Sequence, residues 1–401
     1  MKKGWEYKTL GEVCEVINGL WKGKKEPFIN VGVIRNANFT KDFTLRYDNI
    51  EWLNVEERQY SKRKLQSGDL IVEKSGGSEK QPVGRTVLFD KSEGEYSFSN
   101  FTSVLRIKGE TIKSKFLFYY LFYVYQRGDT KSMQKSTTGI HNIEMDKYLS
   151  INIPIPPLSE QEEIVSRLDK AFEQIDTLRR NAEQSLTTAQ QLFQSTLTHL
   201  LTPQPHWERK TLKDIGKTQT GSTPSMSHIE YYGDYMPFIK PSEVNHDGIG
   251  GINYDTQCLS ELGAEHGRIF EAGSIFMVCI GATISKTGIS NRVISCNQQI
   301  NVITPFKGYA NKYIYYSLCN PIFKSIVIEE GTSSQATLPI ISKGKWEVLT
   351  IDIPPLPEQS AIVAKLDSLS SKVKQLKDNY TRTVALCNEM KQALLKEVFE
   401  D

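Results

Sequence analysis

Loops that combine basic with small polar residues are the part of this sequence best suited to bind an anionic partner. Lysine and arginine neutralise phosphates, whereas Arg, Lys, Asn, Gln, Ser and Thr on short loops can contact base edges. In the first half of the chain the candidate nucleic-acid contacts are Lys22, Lys24, Lys25, Lys74, Ser75, Lys80, Arg85, Lys135, Thr138 and His141. In the second half they are Thr220, Ser222, Thr223, Lys240, Lys286, Gln298, Ser333 and Gln335. Each alone could be a solvated loop residue, and only their occurrence at matching points of both halves favours an interface.

Residue groups typical of catalysis or metal binding are missing from the sequence. No GxxxxGK[ST] loop occurs, and the glycine-rich stretches Ser75–Ser78 and Gly281–Lys286 have a different spacing. The six histidines form no HExxH or HxH cluster, and the six cysteines contain no CxxC pair. Asn320–Phe323 lacks the second proline of the Asn-Pro-Pro-aromatic site of amino-methyltransferases, so we interpret it as structural. We expect a binding protein with no catalytic residues, no metal and no cofactor of its own.

The chain contains an internal repeat. The opening Trp5–Leu10 (WEYKTL) is matched by Trp207–Leu212 (WERKTL), and Ile155–Asp169 (IPPLSEQEEIVSRLD) is matched by Ile353–Asp367 (IPPLPEQSAIVAKLD). Between these signatures the two copies have diverged almost completely. A duplicated and diverged unit indicates one kind of function carried out on two different targets.

Each copy ends in a long amphipathic helix. From Ser159 onwards apolar residues recur at steps of three, four and seven, which is typical of a helix with one apolar stripe. Ser159 as N-cap and Glu162 form a capping-box pattern after a proline-rich stretch, and Pro203 ends the segment. Pro357 suits the first position of the second helix. Both helices are predicted to run for about 40 residues, or roughly 60 Å.

Two helices of this length bury their stripes most simply against each other. We expect an intramolecular, antiparallel coiled coil that relates the two repeats by an approximate two-fold axis; packing of each stripe on its own domain or on a partner chain is the alternative. The residues predicted to pair the helices or bind a partner are Ile164, Leu168, Ile175, Leu178, Ile362, Leu366, Leu369, Val373 and Leu376.

The segments outside the long helices predict a mixed α/β (α+β) fold. Short apolar runs bounded by Gly, Ser, Asn and Pro indicate strands joined by turns. An apolar, tyrosine-rich stretch in each copy, Phe116–Tyr125 and Tyr313–Ile328, predicts a helix. The predicted organisation is an N-terminal domain over 1–157, a central helix over 158–201, a C-terminal domain over 202–355 and a C-terminal helix over 356–401.

The composition is that of an ordinary folded protein, with 39% hydrophobic and 24% charged residues. No run approaches the roughly 20 apolar residues that span a bilayer, and the N-terminus lacks the apolar core of a signal peptide. We therefore expect a cytoplasmic protein with no membrane partner. Because 49 basic residues balance 47 acidic ones, any basic surface must be local.

These features resemble the specificity subunit of type I restriction-modification enzymes. The resemblance rests on the two Trp-x-x-Lys-Thr-Leu openings, on Gly221–Pro224, Glu230–Asp234, Pro237–Ile239 and Asn297–Gln299, and above all on the Pro-Pro-Leu-x-Glu-Gln entrances to both long helices. It covers essentially the whole chain. In that family each globular unit is a target recognition domain, and the helices form an antiparallel spacer that also docks two methyltransferase subunits.

The resemblance implies a bipartite, asymmetric site on double-stranded DNA, with one half read by Met1–Pro157, the other by Thr202–Pro355, and unread base pairs between them. Half-sites read from one face of a duplex lie about one helical turn, roughly 34 Å, apart, which suits a rigid helical spacer. It also implies that adenine methylation with S-adenosylmethionine, and translocation and cleavage with ATP and Mg, belong to methyltransferase and restriction partner chains. The modest net charge predicts weak DNA binding by the isolated chain.

The first copy lacks the Gly-Ser-Thr-Pro and Glu-Tyr-Tyr-Gly signatures of the second, so its recognition loops are placed by composition alone. Two other functions are considered. A coiled-coil adaptor without DNA specificity would show no salt-dependent DNA affinity even with its partners present. A fused nuclease or methyltransferase would need a cofactor loop or a carboxylate cluster, and the sequence contains neither.

Overall fold

The chain forms two compact units, Met1–Arg179 with Val384–Asp401 and Arg180–Thr383. A computed structural model describes residues 4–79, 81–137, 139–245, 249, 251–333 and 338–400. Each unit contains one mixed α/β domain together with segments of both long helices.

The strands of the first domain are β1 (Glu6–Thr9), β2 (Cys14–Asn18), β3 (Phe28–Ile34), β4 (Glu51–Glu56), β5 (Leu70–Glu73), β6 (Ser75–Gly77), β7 (Thr86–Leu88), β8 (Tyr96–Phe98), β9 (Thr102–Ile107), β10 (Gln134–Thr137), β11 (Ile140–Ile143) and β12 (Asn152–Ile155). Its helices are α1 (Leu10–Val13), α2 (Glu57–Ser61), α3 (Ser114–Arg127) and α4 (Met145–Leu149). The long helix α5 (Leu158–Leu200) follows.

The strands of the second domain are β13 (Glu208–Thr211), β14 (Gly216–Thr220), β15 (Tyr232–Gly233), β16 (Met236–Ile239), β17 (Cys258–Leu259), β18 (Ile269–Phe270), β19 (Ile275–Val278), β20 (Thr287–Ile289), β21 (Ile294–Cys296), β22 (Ile300–Pro305) and β23 (Thr350–Ile353). Its helices are α6 (Leu212–Ile215), α7 (Glu261–His266), α8 (Asn311–Cys319), α9 (Pro321–Thr332) and α10 (Lys343–Trp346), and the long helix α11 (Leu356–Phe399) follows. Short 3-10 turns lie at Asn36–Asn38, Asp129–Met133, Ile229–Tyr231 and Pro241–Glu243.

The same central sheet occurs in both domains. Its strands run in the order β2-β9-β5-β7 in the first domain and β14-β22-β19-β20 in the second. Successive side chains point to opposite faces, so β5 places Leu70 and Val72 in a core with Phe116 of α3, and Ile71 in a second core with Phe98. A strand covered on both faces needs a continuous apolar run, which is why the run Leu-Ile-Val appears there.

The tyrosine-rich stretches form helices, with one correction. Phe116–Tyr125 lies within α3 as predicted. The predicted helix Tyr313–Ile328 is instead divided into α8 and α9 at Asn320. The Asn320 side chain accepts a hydrogen bond of 3.0 Å from the Ile322 amide, and Pro321 has no amide proton to continue α8, so the chain caps a new helix here.

The repeat signatures join each domain to its long helix. β1 pairs antiparallel with β12, and β13 pairs antiparallel with β23. The indole of Trp5 donates a hydrogen bond of 3.0 Å to Glu160 Oε1 at the start of α5, and the indole of Trp207 donates one of 3.1 Å to Glu358 Oε1 at the start of α11. The tryptophan of the opening signature and the glutamate of Pro-Pro-Leu-x-Glu-Gln are therefore hydrogen-bond partners.

The glutamine of the same motif is buried in both copies. Gln161 Oε1 accepts a hydrogen bond of 2.8 Å from the amide of Lys113, the N-cap of α3, and Gln161 Nε2 donates one of 2.8 Å to the Pro156 carbonyl. Gln359 bonds the amide of Ala310, the N-cap of α8, and the Pro354 carbonyl in the same way. Each glutamine satisfies a part-buried amide at a helix end and the carbonyl of a buried proline.

The long helices run antiparallel in the first unit. Cys387 of α11 donates through Sγ to the Ile175 carbonyl of α5 at 3.7 Å, and further along α11 Glu397 lies 3.6 Å from Arg167, earlier on α5. Residue numbers therefore increase along α11 as those of the contacting residues on α5 decrease. The apolar stripe contacts the domain as well, because Leu168 packs in one cluster with aromatic residues of α3 and with α11. Pairing and packing on the domain therefore both occur.

Most residues predicted to pair the helices are buried, but not all. Leu168, Ile175, Ile362, Leu366 and Val373 are buried, and Ile164 and Leu369 pack partly buried against the cores. Leu178 and Leu376 are 51% and 37% exposed, so their role in helix pairing or partner binding stays a prediction. The buried residues contact both the domain and the other helix. A strict heptad pattern therefore predicts more buried positions than the structure shows.

The start of α5 also differs from the predicted capping box. The helix begins at Leu158, so Ser159 lies inside the first turn, and the amide of Glu160 donates to the Pro157 carbonyl at 2.9 Å. Within the described residues, no helix combines the length and apolar character needed to cross a bilayer.

Candidate nucleic-acid interface

Neighbouring loops and strands lie at one edge of the first domain, and we call them the first loop face: Gly19–Lys25, Ser99–Phe101, Lys74–Gly77 and the paired strands β10 and β11. Leu20 donates a backbone hydrogen bond of 2.9 Å to Phe98, the amides of Lys74 and Ser75 donate to the Phe101 carbonyl, and Ser75 pairs with Asn142 of β11. These backbone contacts bring predicted residues from three separate stretches of sequence to one edge.

The cations of this face differ in how they are held. Lys22, Lys24 and Lys25 are exposed, and Glu56 Oε2 accepts hydrogen bonds of 3.3 and 3.4 Å from the amides of Lys24 and Lys25. Lys135 is exposed, with its ammonium 3.0 Å from Glu144. Because Glu56 holds this loop through backbone amides, the side chains of these lysines stay exposed.

Other predicted residues of the first domain are less accessible. Burial lowers the pKa of Lys74, which is partly buried. The Ser75 side chain is buried, and His141 lies partly buried on β11, with its Nδ1 atom enclosed. Lys74 and His141 therefore remain candidates at the margin of the face. Lys80 and Thr138, and Gln335 of the second domain, lie outside the described residues.

Arg85 is placed in the interior of the domain. Its guanidinium Nε donates to Glu73 Oε2 at 3.1 Å, both side chains are almost fully buried, and the guanidinium lies 5.3 Å from the Phe39 ring centre. Burial raises the pKa of the Glu73 carboxyl, while the Arg85 charge opposes that shift. An arginine neutralising a buried carboxylate cannot also reach a groove, so Arg85 is removed from the interface.

The second loop face consists of Thr220–Pro224, Lys240, Asn297–Gln299 and Gly281–Lys286 with Ser333. A Cβ on Gly221 would lie 2.1 Å from the Asn297 carbonyl oxygen, so only glycine allows these loops to approach so closely. The Ser222 amide donates to the Cys296 carbonyl at 2.9 Å, and the Thr223 hydroxyl donates to Gln298 Oε1. The Gly-Ser-Thr-Pro and Asn-Gln-Gln motifs are therefore parts of one surface.

The remaining predicted residues of the second domain lie beside these loops. Lys240 follows Ile239, whose carbonyl accepts a bond of 3.0 Å from the Asn297 amide, and the Lys240 ammonium is 3.0 Å from Gln257 Oε1. The Cys279 amide, at the start of the loop that carries Lys286, donates to the Gln299 carbonyl at 2.9 Å. The Thr220 hydroxyl donates to Asn301 Oδ1 at 2.9 Å.

Ser333 reaches the same region through α9. A Cβ on Gly331 would lie 2.7 Å from Ile284 Cδ1, which places the end of α9 against the loop Gly281–Lys286. Ser333 is exposed at that end of the helix. Thr220, Ser222, Thr223, Lys240, Lys286, Gln298 and Ser333 are thus brought to one side of the second domain.

The backbone contacts also locate the recognition loop that sequence motifs missed in the first domain. A Cβ on Gly19 would lie 2.0 Å from the Ser99 carbonyl oxygen, as one on Gly221 would from Asn297. Gly19–Lys22 therefore occupies the place of Gly221–Pro224. Counting from the two Trp-x-x-Lys-Thr-Leu openings would have found this loop, because both glycines stand equally far behind their tryptophans.

This equivalence adds one candidate residue to the first loop face. The Ser99 amide donates to the Ile34 carbonyl at 2.9 Å, as the Asn297 amide does to Ile239, so Arg35 corresponds to Lys240. In both copies a side chain three residues further on accepts a hydrogen bond from the backbone amide of this basic residue. Asn38 Oδ1 accepts from Arg35 at 2.9 Å, and Glu243 Oε2 accepts from Lys240 at 2.8 Å. No sequence signature marks Arg35.

Aromatic side chains are exposed on the first loop face. Trp21 and Phe101 are 65% and 50% exposed, and Asn100, which corresponds to Gln298, is exposed between the loops. Exposed aromatic rings beside lysines suit contacts with nucleobases and sugars. Among the described residues, no three His, Cys, Asp or Glu side chains are grouped so as to hold a metal ion.

A model of the type I restriction modification DNA specificity domain matches residues 2–188 and again residues 205–381. The chain belongs to this DNA specificity family. The two matches correspond to the two copies of the repeat, so the resemblance of the motifs to this family is confirmed. The two loop faces are therefore surfaces of DNA specificity domains, although which of their residues touch DNA stays a prediction.

Two named relatives match most or all of this chain. It is 25% identical to the HindI specificity subunit of Haemophilus influenzae, over 86% of this chain and 89% of the relative. It is 22% identical to the EcoKI specificity subunit of Escherichia coli, over 100% of this chain and 89% of the relative. Both relatives are type I restriction enzyme specificity subunits by name.

Solved structures share the fold of the specificity chain. A chain from a study of complex assembly and conformational transition of the type I R-M system superposes with a TM-score of 0.74 at 20% identity, covering 100% of this chain and 98% of that one. The HsdS subunit of Thermoanaerobacter tengcongensis gives a TM-score of 0.52 at 20% identity, covering 100% and 97%. At these identities the likeness establishes the fold alone.

Proposed function

We propose that this chain reads a bipartite, asymmetric site on double-stranded DNA, one half through each loop face. The observation that carries the proposal is the recurrence of one loop arrangement in two domains whose exposed residues differ. The close approach at Gly19 and Ser99 repeats that at Gly221 and Asn297. A shared frame with different side chains is what two related readers of different sequences require.

The chemistry of the two faces supports asymmetry. The first presents Trp21 and a run of exposed lysines, whereas the second presents Thr223, Gln298 and Lys240. Glutamine can pair bidentately with adenine and arginine or lysine with guanine, so different sets of side chains select different bases. The first face favours phosphate neutralisation and stacking, and the second favours base-edge hydrogen bonds.

In this proposal the chain directs chemistry that partner chains perform. Methyltransferase subunits carry S-adenosylmethionine and methylate adenine within the site, and restriction subunits use ATP and Mg. The chain itself binds none of these cofactors and works in the cytoplasm as part of the complex. Its net charge of +2 supports weak DNA affinity in isolation, because phosphate neutralisation supplies most of the non-specific affinity.

The deciding experiment is to map adenine methylation across the genome in cells that carry the chain with its methyltransferase partner, and in cells that lack only this chain. A gapped, two-part motif that disappears on deletion is the expected result and gives both half-sites at once. Unchanged methylation with a functional methyltransferase would contradict the proposal and favour the coiled-coil adaptor.

Single substitutions assign each half-site to its domain. Arg35→Ala should relax base preference in the first half only, and Lys240→Ala in the second half only, because each residue lies on one loop face. Lys307→Ala is the matched control, since this exposed lysine follows the opposite end of β22 from the face. Loss of both half-sites on either substitution would mean that the domains do not read DNA separately.

A further inference from the structure

We propose that Asp42 and Phe43 clamp the first domain to the long helices and thereby fix the number of unread base pairs between the half-sites. This inference rests on the proposed function. The clamp loop is the tight turn Thr40–Thr44, closed by a bridge between Phe39 and Leu45 and by a hydrogen bond of 2.9 Å from the Thr40 amide to the Thr44 carbonyl.

Phe43 enters the space between the domain and both helices. Its ring centre lies 4.1 Å from that of Phe122 on α3, and the residue packs in one apolar cluster with Phe172 of α5 and Leu395 of α11. Phe43 is only 5% exposed although it follows a surface turn. Its φ of 62° is a left-handed conformation that costs a non-glycine residue free energy, so burial of the ring must offset that strain.

Asp42 extends the clamp with charge. Its carboxylate accepts hydrogen bonds from both terminal nitrogens of Arg179 on α5, the second at 2.7 Å. Arg179 lies 3.7 Å from Asp176, and Asp176 lies 2.7 Å from the ammonium of Lys391 on α11. This row of alternating charges joins the loop to both helices. The hydrogen bonds from Arg179 lower the pKa of the Asp42 carboxyl, so it stays charged.

The position of the clamp gives it leverage over the angle of the domain. Tyr119 and Lys115 of α3 already hold Asp169 of α5, at 2.5 and 2.7 Å. The second domain has the same attachment, because Tyr316 and Lys312 hold Asp367 of α11 at 2.8 and 2.7 Å. Trp5 with Glu160, Lys113 with Gln161, and Tyr123 with Glu400 of α11 hold the first domain near the same end of the helix pair. These attachments alone leave the domain free to tilt about that end.

Arg179 lies ten residues beyond Asp169, which is about 15 Å further along α5. An attachment this far beyond the others fixes the tilt. A tilt of about 10° would move a loop face about 20 Å away by roughly 3 Å, close to the 3.4 Å rise of one base pair. Loosening the clamp should therefore relax the gap by one base pair without altering either half-site.

The test uses the complete complex of the chain with its methyltransferase partner. Arg179→Gln and Asp42→Asn each remove one of the paired charges. Phe43→Leu replaces the ring with a smaller apolar side chain. Methylation is measured on DNA carrying both half-sites with the native gap, or with a gap one base pair longer or shorter. We expect each variant to raise methylation at the altered gaps relative to the native gap by about tenfold, the effect of losing one charge-assisted hydrogen bond.

Arg46→Ala is the matched control, because the Arg46 ion pair with Asp48 lies just beyond the clamp loop at 3.2 Å and does not involve the helices. It should keep the strict gap. Amide hydrogen exchange in Thr40–Thr44 provides a second readout and should rise in the clamp variants alone. Thermal unfolding confirms that each variant is folded.

The outcomes separate this inference from the proposed function. A wild-type complex that shows a gapped motif, together with folded clamp variants that keep its gap strictly, would overturn the clamp and leave the proposed function intact. A changed first half-site would also overturn it, since the loop would then act in base reading. A wild-type complex without a gapped motif would overturn both.

Discussion

At the scale of single residues, glycine controls how closely the recognition loops approach one another. Gly221→Ala would place a Cβ 2.1 Å from the Asn297 carbonyl and 2.5 Å from the Cys296 carbonyl, and neither backbone atom can rotate away. We expect the free energy of unfolding of the second unit to fall by about 1–3 kcal/mol, and methylation to lose selectivity in the second half-site. Urea unfolding and methylation mapping measure the two effects.

The control for that substitution is Gly344→Ala in α10, where no atom lies within 4 Å of the added methyl group. The free energy of unfolding of this variant should rise by no more than about 0.5–1 kcal/mol, because alanine favours a helix more than glycine does. Equal effects of the two substitutions would show that the close approach of the loops does not matter.

Cysteine reactivity is a second property decided residue by residue. Burial raises the pKa of the Cys14 thiol to about 12 and that of Cys279 to about 11. Since the thiolate is the nucleophile, both should resist iodoacetamide at pH 8, and their rates should rise about tenfold per pH unit toward those values. Partly exposed Cys258 serves as the internal reference. Mass spectrometry of the native chain follows each site, and rapid alkylation of Cys279 at pH 8 would contradict its burial.

At the scale of elements, the Pro-Pro-Leu-x-Glu-Gln entrance acts as a joint between domain and helix. Gln359→Leu would remove the hydrogen-bond partner of the part-buried Ala310 amide and of the buried Pro354 carbonyl, which should lower the free energy of unfolding by about 1–3 kcal/mol. Gln184→Leu on the exposed face of α5 loses only a contact of 3.3 Å to Thr188 and is the control. Similar urea midpoints for both variants would show that Gln359 does not stabilise the connection between domain and helix.

The elements most visible in the sequence are those with local signals. Both long helices follow from periodicity and prolines, and the repeat follows from its shared signatures. The break before Pro321 shows where a local pattern fails, because the Asn320 side chain caps a new helix inside the stretch predicted as one helix. The burial of Arg85 and the equivalence of Arg35 with Lys240 depend on strands that pair across the sequence. Composition cannot reveal such pairings.

At the scale of the whole molecule, duplication explains why the signatures stayed while the loops changed. Trp5 with Glu160, and Trp207 with Glu358, hold each domain on a helix, so a change at either partner would loosen a joint. The loop faces lie away from these joints and can vary without affecting them. A common frame that carries freely varying loops can acquire new DNA sites one half at a time.

The long helices should set the gap between the half-sites as a ruler would. Four residues inserted after Arg179 in α5 and four after Thr383 in α11 fall where the chain divides between its units, so contacts within each unit are kept. The insertion lengthens each helix by about 6 Å and turns it about 40° past a full turn, and a seven-residue insertion adds about 10 Å with a turn of about 20° the other way. At 3.4 Å per base pair, we expect gaps longer by about two and three base pairs with unchanged half-sites. Methylation mapping with each variant measures the gap directly.

Insertion into α5 alone is the control. It shifts one helix against the other and should therefore abolish methylation. Altered half-sites in the paired insertions would mean that the helices help to shape the loop faces and do not serve only as a spacer.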